Sequence, residues 1–229
     1  MNITMITLKH VIPIMLVLTL KQNVGAQGFV NLNFESANVS GYSPDSRDVP
    51  TTSALPGWTA YYSNASGTGV TSQVWYDGIS LGGYMISIID SNAPSFGPIS
   101  GRYSAFLFGT VQISSSITQT GLVPAGTESL LFDGYVSGAP FTVTLGDQTI
   151  AMAPLQTFSN YTLYGGNIPS ALDGQSEALT FTEPPAVGVQ PSMFELDNIQ
   201  FSNSSVPEPS ALGLSALCGI FIACRRYNK

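Results

Sequence analysis

Residues 141–152 read FTVTLGDQTIAM. Apolar and polar side chains alternate on both sides of Gly146-Asp147. A period of two belongs to a strand with one buried face. A two-residue connection with glycine first suits a type II′ turn, whose twist matches antiparallel strands. The stretch therefore predicts a β-hairpin with arms at 141–145 and 149–152. The same style continues outward. GYVSGAPF (134–141) turns at Gly138, and NYTLYGGNIP (160–169) predicts a strand that stops at Gly165-Gly166. Further strands are expected at 29–35, 57–62, 73–76, 84–89, 103–108, 111–119, 129–136, 159–164, 178–182 and 194–201. Gly, Pro, Asn and Ser separate them, and helical periodicity is slight. Short strands at such spacing predict a β-sandwich or barrel. No charged linker or repeat divides residues 27–201. The longest polar, proline-containing loops fall at 36–56 and 184–192. One domain over 27–202 is expected, followed by the spacer SNSSVPEPS (202–210).

The chain has 229 residues, of which only 9% are charged, against about 25% in ordinary domains. Its basic residues are Lys9, Lys21, Arg47, Arg102, Arg225, Arg226 and Lys229. Between residues 27 and 206 there is no Lys, His or Cys. Thirteen acids there face two arginines, a formal charge of −11. That census excludes from the body a Ser-His-Asp or Cys-His nucleophile, a Schiff-base lysine, a phosphate loop ending in Gly-Lys and a His/Cys zinc site. Nucleic acid is excluded as a partner, because phosphate backbones would be repelled. Oxygen ligands for a hard cation and carboxylate-only chemistry remain.

Both ends are apolar. After Lys9 and His10, residues 11–20 form a ten-residue apolar core, followed by Val24-Gly25-Ala26. This is the layout of a secretory signal peptide over residues 1–26, cut between Ala26 and Gln27. The competing reading is an uncleaved anchor, but a span needs about 20 apolar residues. At the other end, residues 211–224 are apolar and Arg225-Arg226 follow. As a helix this run would be about 21 Å long, short for a hydrocarbon core of about 30 Å, which flanking residues and local thinning could accommodate. The arginine pair would hold its end at the cytoplasmic face. Pro207 and Pro209 keep the preceding segment extended. Cys218 and Cys224 lie on different helical faces, so they are expected to be membrane-segment residues and not a disulfide.

The order Pro207-Glu208-Pro209, apolar helix, Arg225-Arg226 resembles a PEP-CTERM sorting tail, here residues 203–229. The resemblance implies processing by an exosortase-type protease after a transient inner-membrane stage. It also implies delivery to the envelope or extracellular polysaccharide matrix of a Gram-negative bacterium. An ordinary stop-transfer helix is the alternative.

The body carries a second resemblance. It opens with Asn31-Leu32-Asn33-Phe34-Glu35, places Trp58 on the next predicted strand, and closes with Leu196-Asp197-Asn198-Ile199. This order is similar to the galactose-binding-like jelly roll, an all-β fold of antiparallel strands in a single sandwich used by many carbohydrate-binding modules. In such folds the first and last strands lie together, and an early Glu with a late Asp often holds a structural Ca²⁺. The resemblance thus implies Glu35 and Asp197 as metal ligands, with Asn33 and Asn198 nearby. A hard cation with six to eight oxygen ligands fits that chemistry. Two surface acids without an ion is the alternative.

Sugars are held on aromatic faces beside polar groups. Trp58, Tyr61, Tyr62, Trp75, Tyr76 and Tyr84 crowd one third of the chain, with Arg102, Asp77 and Asp90 close by in sequence. The expected ligand-binding set is Trp58, Trp75, Tyr76 and Arg102. The competing reading puts both tryptophans in the core, given the area such rings bury. A glycosidase would need two carboxylates across a cleft. Asp77, Asp90, Asp133, Glu128 and Glu195 are available, but none stands in a recognisable motif, so a non-catalytic, glycan-interacting or structural surface protein is expected.

Overall fold

A computed structural model describes residues 27–78, 85–93, 96–186 and 191–207. The expected signal segment through Ala26, and the expected sorting tail from Glu208 with Pro209, Cys218, Cys224, Arg225 and Arg226, lie outside the described residues, as does Tyr84.

Two sheets face each other. In chain order the strands are β1 (Ser46–Pro50), β2 (Thr59–Asn64), β3 (Gly67–Thr71), β4 (Gln73–Tyr76), β5 (Ile86–Ile89), β6 (Ser104–Gly109) and β7 (Ser114–Leu122). They continue as β8 (Ser129–Ser137), β9 (Thr142–Leu145), β10 (Gln148–Thr149), β11 (Ala153–Thr157), β12 (Thr162–Asn167), β13 (Ser176–Glu183) and β14 (Ser192–Ser202). The larger sheet runs β1-β4-β5-β6-β14-β8-β12-β11 and the smaller β10-β9-β13-β7-β2-β3. Pairing is antiparallel except between β4 and β5. The expected all-β sandwich is therefore present, with one parallel pair added.

The central strands show why. Inward Phe132, Phe181, Phe194 and Leu196 are fully buried, and Phe132 meets the rings of Phe141, Tyr164, Phe181 and Phe194 at 5.3–5.7 Å. Burying each such side chain contributes about 2–3 kcal/mol. A second apolar cluster, built on Met85, Ile89, Phe106 and Phe108, lies on the outer face of the larger sheet. That layer explains why β5 and β6 are buried on both faces.

The hairpin that decides the fold class turns where expected. Gln148 pairs with Leu145, and Gly146 has φ +57° while Asp147 keeps a negative φ, as a type II′ turn requires. Its second arm is shorter than the alternation suggests. After Thr149 the chain leaves the smaller sheet and joins the edge of the larger one as β11. Residues 150–152 form that corner, with Ile150 buried and Met152 packed on the core.

Other expectations are corrected. Residues 29–35 are not a strand. Asn31 and Phe34 take left-handed φ values of 51° and 57°, and successive turns close from Phe34 N–H to Asn31 and from Ala37 N–H to Phe34. The chain bends there so that Phe34 enters the core. Contact between the two ends of the domain survives through Ile199 N–H donating to the Leu32 carbonyl (2.9 Å) and Phe29 stacked on Phe201 at 5.0 Å. Gly165 and Gly166 do not end a strand; they lie within β12. A Cβ at Gly165 would press on Leu155, Leu131 and Val206, and one at Gly166 on the Ala151 carbonyl. β1 and β3 fall in stretches too polar or glycine-rich to register as strands.

Candidate functional site

The residues of the early and late sequence motifs are knotted to the loops beside them by hydrogen bonds. Asn31 accepts Trp58 Nε1–H at its carbonyl (3.1 Å) and donates its side-chain amide to the Pro56 carbonyl (3.0 Å). Glu35 Oε1 accepts the N–H groups of Arg102 (2.7 Å) and Tyr103 (3.1 Å). Asp197 Oδ2 accepts Ser100 N–H (3.1 Å) and the Ser104 hydroxyl (3.2 Å), and its Oδ1 accepts Asn198 N–H (2.7 Å). Both acids thus grip the loop 100–104 that leads into β6. A bulge in β14 after Asp197 and φ +49° at Asn198 turn the Asn198 amide onto Asp133 Oδ2 (3.0 Å).

Glu195 and Asp197 are buried on the outer face of β14. Burial raises the Asp197 pKa to about 7; N–H and hydroxyl donors oppose the rise and Glu35 adds to it. Burial raises Glu195 to about 8, with Asp197 adding repulsion, and Glu195 Oε1 lacks a hydrogen-bond partner among the described residues. Asp197 is thus the carboxyl that interacts with both of its acidic neighbours, Glu35 and Glu195. Among the described residues, no three acidic, His or Cys side chains are placed to share one metal ion.

The aromatic set expected to bind sugar is corrected. Trp58, Trp75 and Tyr76 are only 4%, 2% and 5% exposed. Trp58 is a core ring beside Phe34 and Phe181. Trp75 lies under the Arg47 guanidinium at 4.7 Å, and Tyr76 donates its hydroxyl to Asp90 Oδ2 (2.8 Å). None offers a free face to a polysaccharide. Arg102 is exposed, with its guanidinium over the Tyr103 ring at 4.9 Å.

Asp77 and Asp90 do come together, Asp90 N–H donating to Asp77 Oδ1 (2.7 Å). Burial raises Asp77 to about 6. Burial pushes on Asp90 as well, but donors from Asn92 and Tyr76 outweigh it and leave its pKa lowered. Both carboxyls are buried, at 1% and 4% exposure, so they do not flank an open cleft as glycoside hydrolysis requires.

An aromatic cleft lies elsewhere. The β11–β12 hairpin carries Phe158 and Tyr161 stacked at 4.6 Å on its tip. Beside it β8 runs past the end of β12 and presents Tyr135, whose ring meets Phe96 at 5.9 Å. Phe158 and Tyr135 are 40% and 36% exposed. A cleft of about 230 Å³ opens between hairpin and strand, lined by Tyr135, Thr157, Phe158, Asn160, Tyr161 and Thr162. The Asn160 amide reaches the Ile99 carbonyl at 3.5 Å, tying the hairpin to the loop that Glu35 and Asp197 hold. A larger cleft of about 440 Å³, lined by Asn64, Thr110, Val111 and Gln112 among others, contains no aromatic ring. Sugar-ring C–H faces pack on exposed aromatic faces, and amides and hydroxyls beside them fix orientation; the smaller cleft has both. Sequence reading missed Tyr135, Phe158 and Tyr161. The available signal was the exposed turn 157–161 between two strands, with an aromatic residue on each side of Ser159-Asn160.

No family model matches the chain, and no curated protein matches it. Some solved structures do. One is TmCBM61 in complex with β-1,4-galactotriose, at 13% identity over 78% of this chain and 99% of that one, with TM-score 0.45. Another is the family 11 carbohydrate-binding module from Clostridium thermocellum in complex with a β-1,3-1,4-mixed-linked tetrasaccharide, at 12% identity over 72% and 100%, with TM-score 0.33. A third is SGBP-B from a complex xyloglucan utilization locus in Bacteroides uniformis, at 16% identity over 64% and 56%, with TM-score 0.31. These values describe a distant likeness, and the ligands named belong to those proteins.

Proposed function

We propose that this chain is an exported, non-catalytic glycan-binding protein of the cell surface or extracellular matrix, with a galactose-binding-like sandwich as its working part. The observation that carries the reading is the cleft in which Tyr135, Phe158 and Tyr161 stand beside Asn160, Thr157 and Thr162. Phe158 and Tyr161 are already stacked on each other, so little side-chain freedom is left to lose on binding. The sorting tail is part of the proposal: Pro207-Glu208-Pro209 and Arg225-Arg226 would bring the chain to an exosortase-type protease at the inner membrane, and the partner outside would be extracellular polysaccharide. Pro207 is exposed at the end of the body, which suits access by a protease. Structural Ca²⁺ at Glu35 and Asp197 also remains a proposal. Its support is the repulsion that Asp197 receives from Glu35 and passes to Glu195, which a divalent cation between Glu35 and Asp197 would relieve. The fit is partial, because backbone N–H groups already occupy Glu35 Oε1 and both Asp197 oxygens.

The test is affinity electrophoresis of the purified protein in gels cast with a panel of soluble polysaccharides. Retardation in at least one gel is expected, and it should be lost in Tyr135→Ala and Phe158→Ala but kept in Arg47→Ala. Equal retardation of wild type and both cleft variants would place binding elsewhere.

A further inference from the structure

The cleft sits in a body with almost no positive charge. Between residues 27 and 206 there is no Lys or His, and the cations are Arg47 and Arg102. Arg47 belongs to β1, the edge of the larger sheet opposite the β11–β12 hairpin. Five strand spacings separate β1 from β8, the strand of Tyr135, or roughly 24 Å at about 4.8 Å per strand. That exceeds the Debye length of about 10 Å at moderate salt. Arg102 is nearer, just before β6, but it is not among the residues that line the cleft, and its guanidinium lies over the Tyr103 ring.

No residue that lines the cleft is charged, and the charged groups on the neighbouring segments include three acids. Asp133 lies two residues before Tyr135 on the same face of β8, and Asn198 donates to it. Glu35 is fixed to the loop that Asn160 touches, and Asp197 stands opposite Asp133 in the sheet register. A bound uronic acid would find no cationic side chain in the lining to pair with, within a body of formal charge −11. The negative field of such a body disfavours a bound carboxylate, most strongly at low salt. An uncharged sugar meets no such opposition, and the Asn160 amide with the Thr157 and Thr162 hydroxyls of the lining can donate to and accept from its hydroxyls.

Building on the glycan-binding reading of this cleft, we propose that it accepts an uncharged glycan and rejects polyuronates. The protein is run in gels containing a neutral β-glucan, a β-1,4-galactan or alginate, at about 0.02 M and about 0.2 M salt, the second with a Debye length under ~8 Å. The expected result is retardation in a neutral gel that changes little with salt and disappears in Tyr135→Ala. In alginate, mobility should equal that in a gel without polysaccharide at both salt concentrations. Retardation in alginate that Tyr135→Ala abolishes would overturn the specificity while leaving glycan binding standing. No retardation in any gel would overturn the glycan reading and this inference with it.

Discussion

Glu183 offers a direct test of how this sandwich is held together. It continues the inward series Leu179, Phe181, Glu183 along β13 and is 0% exposed. Both its carboxyl oxygens lack hydrogen-bond partners among the described residues. The nearby Ser192 hydroxyl donates to the Pro184 carbonyl (3.2 Å), so its single proton is already committed and it only tempers the effect of burial. Burial raises the Glu183 pKa from 4.5 to about 7. Through that interval the folded chain keeps a proton that the unfolded chain has released. Stability from this group is therefore complete below pH ~4.5 and is lost as pH rises through ~7. Each pH unit between those two values is worth about 1.4 kcal/mol, so the loss totals about 3 kcal/mol. Glu183→Gln fixes the neutral form. Whatever constant offset the amide introduces, the variant should gain about 3 kcal/mol relative to wild type between pH 4.5 and pH 8. For a domain of this size that is roughly 6–12 °C in melting temperature. Urea unfolding followed by the fluorescence of Trp58 and Trp75, repeated across that pH range, measures it. Parallel stability profiles for the two proteins would refute the claim that burial holds the Glu183 proton on in the folded chain.

Two further outcomes follow from the core and the knot. Phe132→Ala, which empties a site bounded by four rings, should cost about 3–5 kcal/mol in the same unfolding assay; a loss under ~1 kcal/mol would mean that the sheets do not pack through Phe132. If Ca²⁺ relieves the repulsion around Asp197, adding calcium should raise the melting temperature at pH 8 and a chelator should reverse it, whereas Asp197→Asn should make both additions ineffective; an unchanged midpoint in wild type would remove the ion from the account.

The class of fold, and much of the chemistry it excludes, could be read without coordinates. Period-two alternation around Gly146-Asp147 specifies a hairpin because only a pleated strand puts every second side chain on one face. The missing Lys, His and Cys remove whole mechanisms on composition alone. The motif residues from Asn31 to Glu35 and from Leu196 to Ile199 were legible as a pair. Their reason was not: Phe34 leaves the strand pattern to fill the core, and Glu35 and Asp197 close on a loop far from either acid in sequence. Which rings face water was a matter for packing. Trp58 and Tyr135 were both expected within strands, and local pattern treats them alike. Burial depends on what the opposite sheet and the covering loops place over each face, which is a sum over residues distant in sequence. For the same reason β10 ends at Thr149 although alternation runs on, since the chain must cross there to reach the other sheet. The cleft, too, exists only because β8 outruns β12 and leaves the tip of a hairpin standing beside it.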